Sequence, residues 1–138
     1  MSEGPGEADA EQDERIVIEV ADVVEDLDRD RRGAEALVRR NVRWALRHYG
    51  LYDPDSMGRV TVKVLGYVAK GDNAIVHAKF TVQGRDGSDL ATGVALGHVT
   101  WPTDREVAIQ RLELYLPREH VRKLRELMRR EREERAPA

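Results

Sequence analysis

A chain of 138 residues, 36% charged and 41% apolar, has room for one domain with a real core and too little length for two. It contains no cysteine, which excludes a disulfide, a thiolate nucleophile and a Cys-ligated metal. No apolar run approaches the length of a membrane span. The net charge of −3 is unevenly spread, because residues 1–14, "MSEGPGEADAEQDE", carry acids and no Lys or Arg. Such a segment buries too little apolar area to offset its ordering entropy, so it reads as a disordered acidic tail. The rest of the chain is close to neutral or slightly basic. The acidic start is unlike a signal peptide, and a cytoplasmic protein is the simplest expectation.

"RIVIEVADVV" places Ile16, Ile18 and Val20 at period two and predicts a strand from Arg15 to about Val23. The polar "EDLDRDRRG" follows, with Asp residues suited to capping a helix. From Gly33 to Tyr49 the period changes to that of a helix, with Ala34, Leu37, Val38, Val42, Ala45, Leu46 and Tyr49 in one stripe and Gly50 as its stop. Four strands then follow. "RVTVKVLGYV" and "AIVHAKFTV" flank a "KGDN" turn, and "QGRDGSD" turns the chain into "LATGVALGHVTW". Pro102 is expected to break that strand. In "VAIQRLELYL" the apolar parity shifts between Ile109 and Leu112, which predicts a bulge near Gln110 and Arg111. Pro117 introduces a charged helix over 118–135 with a narrow stripe of Val121, Leu124, Leu127 and Met128.

The order β-α-β-β-β-β-α predicts a single α+β domain over 15–135, a curved antiparallel sheet wrapped around one central helix, with a charged C-terminal helix. The face Ala91, Gly93, Ala95, Gly97 of the fourth strand presents almost no side chain, which lets another backbone approach closely. The expected visitor is the first helix, with Trp44 or Leu46 lying across the groove. A second copy of the sheet is the other possibility.

The block "GDNAIVHAKFTVQGRDGSDLATGVALGHVTW", residues 71–101, resembles the central hairpin of hotdog-fold acyl-CoA thioesterases, with its Gly-Asp turn, Asp-Gly turn and "ATG" strand. "LPREHVRKLREL" is similar to the Pro-led helix that ends some members. The resemblance covers about half the chain. It implies a helix held in a curved sheet, a dimer, and an acyl-CoA ligand. The cystatin-like fold has the same element order. The resemblance also implies a catalytic acid at or before the first helix. There the chain reads "ADVVEDLDRDRRGAEALV", with Asp22, Asp26, Asp28, Asp30 and Glu35 but no His-Val-Asn-like segment. Asp28 or Glu35 would fill that role.

The four histidines, His48, His77, His98 and His120, show no metal-ligand spacing, so no metal or other cofactor is implied. His77 shares a face with Lys79 and reads as solvated. His98 would act as a base if an acid met it in space, and otherwise reads as a hydrogen-bonded rim residue. The first helix carries Arg40, Arg43 and Arg47 beside Trp44, a face for a ligand or partner that could also touch phosphates or bases. The mixed charges of the second helix are not those of a nucleic-acid binder. Together these features point to a small non-catalytic binding or assembly module, a homodimer that also meets a protein partner through its C-terminal helix. An acyl-thioester enzyme is the alternative, and a nucleic-acid-associated protein using the arginine face the third reading. No membrane association is expected.

Overall fold

The computed structural model describes residues 13–24 and 31–135. Its elements are β1 (Asp13–Val24), α1 (Arg31–His48), β2 (Val60–Lys70), β3 (Asn73–Gln83), β4 (Asp89–Thr103), β5 (Glu106–Pro117) and α2 (Arg118–Arg135). All neighbouring strands are antiparallel, in the order β1-β5-β4-β3-β2. The fold is therefore α+β, with the expected element order and C-terminal helix. Among the described residues no helix is long and apolar enough to cross a membrane.

The expected acidic tail lies mostly outside the described residues, but its last two members do not. Asp13 and Glu14 belong to β1 and pair with Pro117 and Leu116. The strand thus starts two residues earlier than the apolar alternation indicates, because backbone pairing continues past the last buried side chain. The expected Asp caps before α1 lie outside the described residues.

Helix α1 lies against the inner side of the sheet, in contact with all five strands. Its buried stripe is Ala34, Leu37, Val38, Asn41, Val42, Ala45 and Leu46. The chain leaves the helix at Gly50, whose φ of 70° is open to glycine. There Gly50 N–H donates to Arg47 O and Leu51 N–H to Leu46 O at 2.8 Å. This paired closure satisfies the last carbonyls and seats Leu51 against the core.

The small-residue face of β4 does admit the helix, but through Val38, not through Trp44 or Leu46. A Cβ added at Gly97 would lie 2.5 Å from Val38 Cγ2. At Gly93 the space belongs to both neighbouring strands, with Phe80 Cζ of β3 and Tyr115 O of β5 each 2.5 Å from an added Cβ. Trp44 stands 48% exposed on the opposite margin of α1. It falls seven residues after Leu37, at the edge of the stripe, where the sheet no longer covers it.

The parity shift in β5 is a bulge, as its pattern indicates. His98 pairs with Arg111 and Val99 with Ile109, leaving Gln110 extra on β5. On the other side Glu19 pairs with Arg111 and Asp22 with Ile109, so Val20 and Ala21 stand against Gln110. Two bulges at one level bend the sheet around the helix. Pro102 does not end β4. It lies within the strand beside a further register shift between Thr100 and Thr103, where a missing N–H is tolerated.

Candidate functional site

The strand registers sort the outer face of the sheet, the side away from α1, into rows. One row runs Arg15, Tyr115, Val94, Lys79, Lys63 from β1 to β2. The next runs Val17, Glu113, Leu96, His77, Gly66, and a third Glu19, Arg111, His98, Ile75, Val68. This face mixes exposed apolar residues with charge. Val17, Ile75 and Val68 are 39%, 42% and 68% exposed.

Glu113 is the exception, at 6%. It lies between Leu112 and Leu114, both in the core, so strand alternation turns it outward. There its neighbours close over it. Arg15 Nη2 donates to its Oε1 at 2.5 Å, and the Tyr115 hydroxyl donates to the same oxygen at 2.8 Å. His98 Nε2 lies 2.8 Å from Oε2, with Arg111 Nε at 3.9 Å. The His98 hydrogen bond, then those of Arg15 and Tyr115, hold the Glu113 carboxyl down to about 2, outweighing desolvation. The carboxylate in turn raises the Tyr115 phenol above its ordinary value. Glu113 is thus a fixed anion in ordinary water, held by neighbours from β1, β4 and β5.

His98 does meet an acid in space, Glu113, which the sequence alone does not single out. Glu35 lies on α1, where it pairs with Arg31 at 2.5 Å and Arg39 at 3.4 Å. Asp28 lies outside the described residues. The pair His98–Glu113 sits on an open sheet face, while the concave side is filled by Val38, Val42, Ala45 and Leu46 against Val76, Phe80 and Leu112.

The arginines of α1 are divided among separate tasks. Arg40 donates to Asp22 Oδ2 through Nε at 3.1 Å and Nη2 at 2.5 Å, with Asn41 Nδ2 donating to the same oxygen at 2.8 Å. Burial pushes the Asp22 carboxyl up, but these donors outweigh it and leave it below its usual value. Arg43 Nε donates to Val60 O at 3.3 Å. Arg47 is exposed, and Trp44 stacks on His48 with ring centroids 4.8 Å apart. Arg40 and Trp44, with Glu19, Asp22 and Asn41, line a surface groove of about 390 Å³ between β1 and α1. Arg43 and Arg47 do not line it.

The remaining histidines are dispersed. His77 is exposed, and His120 Nδ1 accepts from Thr92 N–H at 3.3 Å. Among the described residues no cluster of His, Asp and Glu is arranged to hold a metal. Comparison of the chain with protein-family models, with curated proteins and with solved structures found no match.

Proposed function

We propose that the protein is a non-catalytic assembly module that binds a second copy of itself through the outer face of its sheet. The observation carrying this reading is Glu113, a carboxylate 6% exposed on a face that α1 does not cover, with its charge already answered inside one copy. An isologous interface brings identical residues together at its two-fold axis. A bare acid there would meet its own image, and one paired with Arg15 and hydrogen-bonded to His98 and Tyr115 presents less of that cost.

The row order supports a second copy over other occupants. A two-fold axis along the middle row keeps Leu96 opposite Leu96 and exchanges the two flanking rows. Arg15 of one copy then meets Glu19 of the other, Tyr115 meets Arg111, and the stems of Lys63 and Lys79 cover Val68 and Ile75. Opposite charges and an aromatic–guanidinium contact arise from the same operation. Five strands at about 4.8 Å and three rows at about 6.8 Å make a face of about 25 Å by 20 Å, about 500 Å² per partner, at the small end of specific interfaces.

Light scattering on the full chain tests this. A dimer is expected, converting to monomer in Leu96→Asp and Val94→Asp while helical circular dichroism is retained. A wild-type monomer, or dimers untouched by both substitutions, would refute it.

A second reading has one observation in its favour. His98 beside a fixed carboxylate is the geometry of a base held by an orienting acid, which an acyl-thioester hydrolase could use, although the resemblance puts the catalytic acid at or before the first helix. Turnover of acyl-CoA by wild type that vanishes in His98→Ala would establish it.

A further inference from the structure

We infer that the groove between β1 and α1 is a binding site for an alkylguanidinium, stacked on Trp44 with its N–H groups donating to Asp22 and Asn41. The inner parity of β1 runs Ile16, Ile18, Val20 and then Asp22, which pairs with the core residue Ile109 and so faces α1. Packing alone would continue the apolar series there. Asp22 Oδ2 accepts from Arg40 Nε, Arg40 Nη2 and Asn41 Nδ2, whereas Oδ1 accepts from no described residue. Asn41 is 5% exposed, yet only its amide nitrogen is engaged, with Asp22 Oδ2 and with Leu37 O at 2.9 Å. These two donations fix the amide's orientation and leave Asn41 Oδ1 an acceptor without a donor among the described residues. Neither free oxygen is sealed from solvent, and both residues line the groove.

The remaining wall is Trp44. His48 stacks on one face of its indole, and no ring or guanidinium of the described residues stacks on the other. The lining therefore offers acceptors and a π face. Its carboxylates, Glu19 and Asp22, outnumber the Arg40 guanidinium by one, so a single cation cancels the local charge and an anion meets the wrong sign. A guanidinium fits better than an ammonium, because it stacks flat on an indole and presents a fixed fork of N–H groups to two acceptors at once. Val20 gives its alkyl stem an apolar contact, and about 390 Å³ is ample for such a group. The same chemistry belongs to a free guanidine and to an arginine side chain. Asp22, Asn41 and Trp44 take no part in the dimer contact proposed above, so the site does not rest on that reading.

Acetyl-arginine amide titrated into the isotope-labelled full chain is expected to move the Trp44 indole N–H and the Asn41 side-chain amide resonances, with a dissociation constant on the order of 1 mM. Acetyl-citrulline amide, of the same shape without the charge, should bind about tenfold more weakly, and acetyl-lysine amide about threefold more weakly. Trp44→Leu should weaken the arginine amide about fivefold and Asp22→Asn about tenfold. Ethylguanidinium that binds as tightly as the arginine amide supports a free guanidine as the occupant, and tighter binding of the arginine amide supports a peptide side chain. Equal binding of the three amides, shifts centred on another surface, or an affinity unchanged in both variants would overturn the site. Leu96→Asp should bind like wild type, so failure of the dimer and failure of this site are read separately; weakened binding there would place the contact at the dimer face and contradict the assignment.

Discussion

The two faces of the sheet are built from the same strands, yet different forces decide them. On the inner face, Ala95, Gly97, Val76 and Phe80 are at or near zero exposure because α1 presses on them, and what matters is volume. On the outer face, Arg15, His98, Glu113 and Tyr115 come together across three strands, and what matters is which partner stands opposite. Packing can be inferred from one strand at a time, whereas pairing needs the register of several.

The largest expected effect lies on the inner face. Phe80→Ala removes a fully buried ring and should cost about 3–5 kcal/mol in denaturant unfolding. Next comes Gly97→Val. Its Cβ would meet Val38 Cγ2 at 2.5 Å, and the overpacking should cost about 1–3 kcal/mol. Val38→Ala in the same chain should recover part of that loss, giving a double-mutant cycle with a clear coupling term; additive losses would mean that Val38 is not the obstacle.

On the outer face, Glu113→Gln should cost about 1–2 kcal/mol at neutral pH, by leaving Arg15 and His98 without their anion. The pH dependence separates it from the inner-face variants. Because the folded-state value of Glu113 is depressed, to about 2 from 4.5, its contribution is complete above the unfolded value and is lost as pH falls from about 4.5 towards 2. Wild type should lose stability faster than Glu113→Gln across that window. Asp22, also depressed, keeps some slope in both proteins. Parallel curves would show that the network does not hold the charge. The smallest effect on folding is expected for Leu96→Asp, within about 1 kcal/mol, despite its large expected effect on assembly.

Much of the inner face was legible in the sequence. The 3.6-residue stripe from Ala34 to Leu46 is the buried side of α1, though Tyr49, read as its last member, is 38% exposed past the helix end, and the parity shift at Gln110 is the bulge that bends the sheet. Trp44 lies seven residues after Leu37, at the edge of the stripe, so the periodicity alone could not decide between the groove and solvent; it is 48% exposed. The Glu113 cluster was hidden for another reason. "LEL" in a strand reads as a solvated acid between two core leucines, and Arg15 and His98 lie 98 and 15 residues away in sequence. Only the pairing of β1 and β4 with β5 joins them. One trace was present: Arg15, His98, Glu113 and Tyr115 all fall on the outward parity of their strands, although only the register shows that their rows are adjacent.

Sedimentation equilibrium on the full chain at about 100 µM, well above a micromolar dissociation constant, addresses the outer-face pairing most directly. A species of twice the 15.7 kDa chain mass that falls to a single mass in Leu96→Asp is the expected result. A single-chain mass for the wild-type protein at that concentration would contradict it.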